Sequence, residues 1–491
     1  MKVIKQVYLL CVLLVTSMFS GCLTKEQSHP DIQPNKVVPS PQQLAYQQME
    51  MVGFIHFTVN TFTDKEWGYG DENPEIFNPT QLDVEQWVLT AKAGGLKELI
   101  LTAKHHDGFC LWPSQYTEHS VKNSPYKKGQ GDIVREFSDA CRKHGLKVGL
   151  YLSPWDRNHP DYGKPEYITY YRNQLRELLT NYGEINEIWF DGANGGDGYY
   201  GGANESRFID KETYYDWPNT IKLVKELQPD IKIFSDAGPD IRWVGNEHGF
   251  AGETFWSPIQ TDSLVIGDSN PEYLNTGDPE GNKWIIGQCD VSIRPGWFYH
   301  ESQDSLVKST EELLDIYYKS VGRNGVLLLN LPPDKRGLIH PIDSTNLAVF
   351  KQIIDRTFDK NLVSNASASA SNHRFDHEKF SPENVIDQND TTYWSTDDNV
   401  FSSEVIVELS EESVFDRIVI SEPIRFGQRI SEFEIQIEKE GSWTKVAEGT
   451  TIGYKRILRI EPASSSKLKL KILDSKNIPA ISELGLYKTT N

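Results

Sequence analysis

Cysteine is scarce in this chain, with 5 among 491 residues. Cys11 and Cys22 fall at the amino terminus, and Cys110, Cys141 and Cys289 are scattered through the body with no CxxC pair. Three isolated thiols make neither a disulfide framework nor a zinc site, so the core must hold without covalent staples. No HExxH motif is present, and that removes the commonest helical zinc site. Positive charge is also in deficit: 50 Lys and Arg stand against 70 Asp and Glu, a formal net charge of −20. Such a surface repels a phosphate backbone, and no basic patch interrupts it, so nucleic acid is an unsuitable partner. The apolar run from Val7 to Phe19 is too short to be a comfortable membrane span.

Aromatics, in contrast, are plentiful, with 12 Trp in the chain. They fit either a large aromatic core or flat platforms for sugar rings, and composition does not separate the two. Lys2 and Lys5 precede the apolar run, which ends in Phe19-Ser20-Gly21-Cys22. This pattern reads as a targeting segment and resembles a bacterial lipobox, with Phe19 departing from the usual Leu. The expectation is a signal peptide and lipobox over 1–22 and a polar, proline-punctuated linker over 23–44. The protein would then be an exported lipoprotein, periplasmic or on the outer surface of a Gram-negative cell, touching membrane only through its lipid.

From residue 45 to 360, short β-branched or aromatic runs alternate with helical-period stretches. The runs are Met51–Val59, Leu99–Ala103, Lys147–Leu152, Glu187–Asp191, Ile231–Ser235, Thr254–Ser257, Lys283–Gln288 and Val326–Leu331. Eight such units predict a (β/α)₈ TIM-like barrel rather than a doubly wound open sheet. Amphipathic helices are expected at Val84–Ala93, Ile133–His144, Ile168–Tyr182, Thr220–Leu227 and Thr310–Val321, several stopped by Gly. The sixth unit is the weakest, with loop-forming residues and no clear helix. From 361 to 491, short alternating strands predict an antiparallel β-sandwich.

In a parallel barrel the site forms at the carboxyl ends of the strands. His56, the pair His105-His106 with Asp107, Tyr151, and Asp191 all close apolar runs. Asp191 follows Ile188-Trp189-Phe190, and residues 192–202 contain six glycines, which argues against a simple helix cap and lets a ligand approach closely. Two carboxyl groups are what glycoside hydrolysis requires. Glu247 and Glu253 are the candidates for the second, and Glu247 is preferred because Glu253 would precede the sixth strand at its wrong end. His105 and His106, on a regular strand, would point to opposite faces, which favours hydroxyl binding over a shared metal.

His56-Phe57-Thr58, Glu66-Trp67, His105-His106-Asp107-Gly108-Phe109, Tyr151-Leu152-Ser153 and Trp189-Phe190-Asp191-Gly192 together resemble glycoside hydrolase family 29, the α-L-fucosidases. The resemblance implies Asp191 as nucleophile and no cofactor for catalysis. It implies a fucose pocket of His56, Glu66, Trp67, His105, His106, Tyr151 and Trp189, with Arg242 and Trp284 as looser members. Arg242 to Glu247 is similar to the subgroup acting on α-1,3- and α-1,4-linked fucose, which also favours Glu247 as acid and base. A broad-specificity fucosidase and a non-catalytic glycan-binding lipoprotein are the alternatives. Val385-Ile386-Asp387, Asp390 to Ser395 and Ile481 to Leu484 resemble a discoidin-like, family 32 carbohydrate-binding module. That resemblance makes Asp387, Asp390, Thr392 and Glu483 the oxygen ligands of a structural Ca²⁺, where local turn chemistry would serve equally well.

Overall fold

The first described helix begins at a cap. The Ser40 hydroxyl accepts from the Gln43 amide while the Gln43 side chain returns to the Ser40 N–H, a capping box that starts helix α1 (Pro41–Gln47). There follow β1 (Met51–Ile55), α2 (Val84–Ala93), β2 (Glu98–Lys104), α3 (Ile133–His144), β3 (Lys147–Leu152), α4 (Pro165–Asn181) and β4 (Glu187–Trp189). The second half runs α5 (Trp217–Leu227), β5 (Lys232–Ser235), β6 (Ile241–Trp243), β7 (Ile286–Ser292), α6 (Thr310–Lys319), β8 (Val326–Asn330) and α7 (Pro341–Phe358). The structure is a computed structural model describing residues 30–262 and 264–489. The expected signal peptide and lipobox, Cys22 included, lie outside the described residues. One unit, Pro34–Asn491, carries both domains.

The strands close into a barrel in the order β1-β8-β7-β6-β5-β4-β3-β2, and every neighbouring pair is parallel. Their residues are buried almost throughout, as strands sandwiched between helices and a filled interior must be. Val52, Phe54, Ile100, Tyr151, Trp189, Phe234 and Leu328 share one interior cluster, and the Trp189 and Phe234 rings stack at 3.9 Å. Helices α2 and α3 have the expected bounds because both ends carry chemical signals. Asp83 and Asp132 accept from the third amide of their helices, and Gly145 takes φ 78° to stop α3.

The sixth strand departs from expectation. It is β6, not Thr254–Ser257, and it follows β5 after only residues 236–240, with no crossover helix. Thr254–Ser257 lies outside the barrel. The seventh strand begins later than expected, because Lys283-Trp284 pairs instead with Pro258-Ile259 in a small antiparallel ribbon.

The second domain is antiparallel and adds β9 (Ser367–Ala370), β10 (Ser403–Ser421), β11 (Ile430–Lys439), β12 (Ser442–Gly449), β13 (Arg456–Ser475) and β14 (Glu483–Tyr487). The ladder runs β9-β10-β13-β11-β12, with β14 also on β10. Register shifts near Glu408 and Phe415 divide β10 into two pairing zones, the first beside β9 and the second beside β14. Alternation buries Val405, Val407, Ile418, Ile420, Phe433, Ile435, Leu468 and Leu470 in this domain's own core. Among the described residues no helix is long and apolar enough to cross a membrane.

Candidate active site

A cavity of about 350 Å³ opens at the carboxyl ends of the barrel strands, and His56, Glu66, Trp67, His105, His106, Trp189, Asp191 and Glu247 all line it. His56, His105, His106 and Asp191 come just past the end of an apolar strand, Trp189 is the last residue of β4, and Glu66, Trp67 and Glu247 are carried by loops. His56 comes one residue after β1 and shares a 2.9 Å hydrogen bond between its Nδ1 and Asn330 Oδ1. His105 and His106 follow β2 in coil rather than in strand, so the alternation expected for them does not apply. Their rings lie 4.1 Å apart and both face the cavity. His106 Nδ1 is 2.7 Å from Ser153 Oγ, and its Nε2 is 3.9 Å from Asp191 Oδ2.

Burial pushes His56 and His106 down to about 3 and lowers His105 well below its ordinary value. For His106 the Arg157 and Lys104 charges add to the effect. All three rings are therefore neutral near pH 7, each with one donor and one acceptor nitrogen. Among the described residues no three His, Cys, Asp or Glu side chains are grouped to hold a metal ion. Neutral imidazoles beside an aromatic wall instead suit a polyhydroxylated, partly apolar ligand.

Asp191 leaves 23% of its side chain open to the cavity. Tyr151 O–H donates to its Oδ2 at 3.0 Å and Ala193 N–H to its Oδ1 at 2.7 Å. Tyr151 thus acts on this carboxylate from below, and its ring stacks on His105. Burial raises the Asp191 carboxyl, and the two donors oppose that rise. Glu247 sits in the loop after β6 and accepts from Trp297 Nε1 at 3.1 Å. Burial raises Glu247 and Trp297 lowers it, while the negative charge on Asp191 raises it further. Glu66 accepts from the Trp297 and Phe298 amides at 2.9 and 3.3 Å and lies 2.6 Å from His300 Nε2. Trp67 is half-exposed at the rim, edge-on to His106 and Trp155.

Three expected members are absent from the cavity wall: Arg242, Trp284 and Tyr151, the last buried and reaching the cavity only through its bond to Asp191. Arg242 is wholly buried, donating to the carbonyls of Leu274 (3.0 Å), Ser257 (3.1 Å), Trp256 (2.8 Å) and Ile285. It lies on β6 and holds together the irregular segments around it. Trp284 is buried on the small ribbon outside the barrel. Glu253 is turned away as well, pairing with Arg456 at 2.6 Å and with Arg323.

Side chains unforeseen in the sequence also form the wall, among them Asp236, Trp243, Asp290 and Trp297. Asp236 directly follows the expected fifth run, so the strand-end rule that found Asp191 would have found it. It accepts from Gly267 N–H at 2.8 Å, and burial pushes it up to about 6. At Gly192 an added Cβ would come within 3.3 Å of the Asp236 carboxyl carbon, so a larger residue would require Asp236 to give by a few tenths of an ångström. Asp290 lies on β7, past the expected end of that strand. It is 3% exposed, its Oδ1 has no partner, and burial with the nearby Glu247 charge raises it well above the carboxylate range. Six carboxyl groups, Glu66, Asp191, Asp236, Glu247, Asp268 and Asp290, therefore share one cavity. Asp191, with two donors, is better stabilised as an anion than Glu247, which has one and is biased to keep its proton.

In the second domain Asp387 accepts from Asn389 N–H (2.9 Å) and Thr392 O–H (2.6 Å), a turn closed on itself. Asp390 and Glu483 line a separate cleft with Arg425 and Lys455. Glu483 is pushed up to about 7, first by burial and then by the charge on Asp387.

Barrel topology, a strand-end carboxylate pair and a wall of neutral histidines define a glycoside-hydrolase type of site on a parallel barrel. Residues 40–355 match the alpha-L-fucosidase family model, and 365–484 match the F5/8 type C domain. The chain belongs to the α-L-fucosidase family and carries that activity. Alpha-L-fucosidase 1 of Arabidopsis thaliana is 45% identical over 480 residues, 97% of this chain and 92% of that protein. A glycoside hydrolase 29 structure from an unknown rumen bacterium is 46% identical, covering 94% of this chain and 78% of that one, with a TM-score of 0.84. A Ruminococcus gnavus GH29 fucosidase solved in complex with fucose is 36% identical, covering 94% and 97%, also at 0.84.

Proposed function

We propose that the enzyme is a retaining exo-α-L-fucosidase that removes α-1,3- and α-1,4-linked fucose from branched oligosaccharides or glycoconjugates. The observation carrying this reading is the unequal support of two carboxyl groups on one cavity: Asp191 holds two donors, whereas Glu247 holds one and is raised first by burial and then by the Asp191 charge. In the first step Asp191 Oδ bonds to the anomeric carbon as the glycosidic C–O bond breaks, and the Glu247 proton passes to the departing oxygen. In the second, the Glu247 carboxylate takes a proton from water whose oxygen bonds to the same carbon. The fucosyl ester breaks, and both carboxyl groups return to their starting states.

His56, His105, His106 and Glu66 hold the sugar hydroxyls, and the Trp67, Trp189 and Trp297 rings offer apolar faces to the ring and its methyl group. The linkage preference rests on the likeness of Arg242 to Glu247 to the 1,3/1,4 subgroup, Arg242 serving there as a scaffold. A Lewis-type trisaccharide, an α-1,2-linked analogue and an aryl fucoside distinguish the readings. Rapid release from the first alone supports the proposal, whereas release from the other two but not the first assigns broad specificity.

For the second domain we propose that a Ca²⁺ would draw together Asp387, Asp390, Thr392 and Glu483, hard oxygens suited to that ion, whose acidic side chains are not grouped around a site without it. Its positive charge would relieve the repulsion that raises Glu483. Calcium should raise the unfolding temperature of chelated enzyme, and an unchanged melt would rule the site out. Lipidation at Cys22 is read by palmitate labelling, which Cys22→Ser must abolish.

A further inference from the structure

The segment Thr254–Ser257 has strand-like composition but forms no strand. Trp256 N–H donates to Thr276 C=O at 2.8 Å and Ser257 C=O accepts from Ile285 N–H at 3.1 Å, while the second domain holds Phe255 and the Ser257 N–H. Gln428, 2% exposed, donates from Nε2 to Phe255 C=O at 2.8 Å and accepts at Oε1 from Ser257 N–H at 2.9 Å. One side-chain amide thus supplies the donor and the acceptor that a neighbouring strand would. Thr451 Oγ1 accepts from Phe255 N–H at 2.9 Å, and Thr450 O–H donates to Glu253 C=O at 3.1 Å. Arg456 of the same domain pairs with the Glu253 carboxylate at 2.6 Å.

Phe255, fixed from both sides, is buried in a small cluster with Val244, Ala251 and Cys289. Val244 and Ala251 flank the loop that bears Glu247. Within that loop the bonds are local, with Asn246 Nδ2 donating to Phe250 C=O at 2.9 Å. Its far end is tied by Ala251 N–H to Lys319 C=O at 2.9 Å and by Arg323 to Ala251 C=O at 2.9 Å. The stretch that positions Glu247 is therefore bounded by barrel on one side and by the second domain on the other.

We propose that the C-terminal domain is a positioning clamp for Glu247, with Gln428 and Thr451 holding Phe255 and, through it, both ends of the acid/base loop. The inference rests on the reading of Glu247 as acid and base. Gln428 and Thr451 touch no reacting atom and are positioning residues. A proton donor must stand within hydrogen-bond reach of the leaving oxygen, so a small displacement of the loop penalises only steps that need the proton.

The test compares a Lewis-type trisaccharide with α-L-fucosyl fluoride, whose leaving group departs without protonation, in the full-length enzyme. Azide is present so that the second step needs no base. In Gln428→Ala and in Thr451→Val, kcat on the trisaccharide should fall about tenfold or more, with fluoride turnover within about twofold of wild type. Lys455→Ala, which cuts the contact with Glu50 elsewhere between the domains, should leave both rates unchanged. Equal falls on the two substrates, no fall on either, or the same asymmetry in Lys455→Ala would overturn the clamp. Glu247→Ala, run alongside, must show the asymmetry more strongly. Its failure sinks the acid/base reading, and its success without an effect in the clamp variants sinks only the clamp.

Discussion

Asp191 and Glu247 carry the same functional group, and their neighbours make them different. A tyrosine hydroxyl and a backbone amide converge on Asp191, whereas one indole N–H reaches Glu247. Trp297 lowers the Glu247 pKa by stabilising its anion, so Trp297→Phe should raise it. In the proposed mechanism Glu247 acts first as an acid, so the high-pH limb of kcat/KM, where it would lose its proton, should move to higher pH. The low-pH limb, set by ionisation of Asp191, must stay in place. A pH–rate profile whose upper limb stays fixed or moves down would show that Glu247 is not the group titrating there. At this scale the sequence was informative where a polar residue directly ends an apolar run, as at His56, His105 and Asp191. It missed Asp290, which lies inside β7 rather than past its end, where a rule for strand ends does not look. It misplaced Arg242, whose type suggests a ligand contact but whose guanidinium the fold uses to bind four carbonyls.

At the scale of elements, helices with chemical signals at both ends were legible, as were most barrel strands, and β6 was not. α2, α3 and α6 begin where Asp83, Asp132 and Ser309 accept from the third helical amide. Ser309 also completes a capping box with Glu312, so Ser309→Ala should cost about 1 kcal/mol in urea unfolding. Because α6 ends at Lys319, whose carbonyl receives Ala251 N–H, any effect of that substitution on turnover should follow the trisaccharide more than the fluoride. A destabilisation near zero would mean that the cap is redundant with packing. β6 escaped the sequence because three residues are too few to show a period and no helix separates it from β5. Thr254–Ser257 was mistaken for it because one of its partners is a side chain more than a hundred and fifty residues away, invisible to any local pattern.

For the whole molecule, the division into a parallel barrel and an antiparallel module could be read from the change in period after Lys360. That the module reaches into the barrel beside the catalytic loop could not, since the contacts involve Gln428, Thr450, Thr451 and Arg456, which carry no local sequence signal. The account of the enzyme nonetheless turns on one atom group at the end of β4. Incubation with a 2-deoxy-2-fluoro-α-L-fucosyl donor, which slows the second step, followed by mass mapping of the labelled peptide, tests it most directly. The label should fall on Asp191, and Asp191→Gly should take up none. A tag on another residue, or no trapped ester together with release of the inverted sugar, would contradict it.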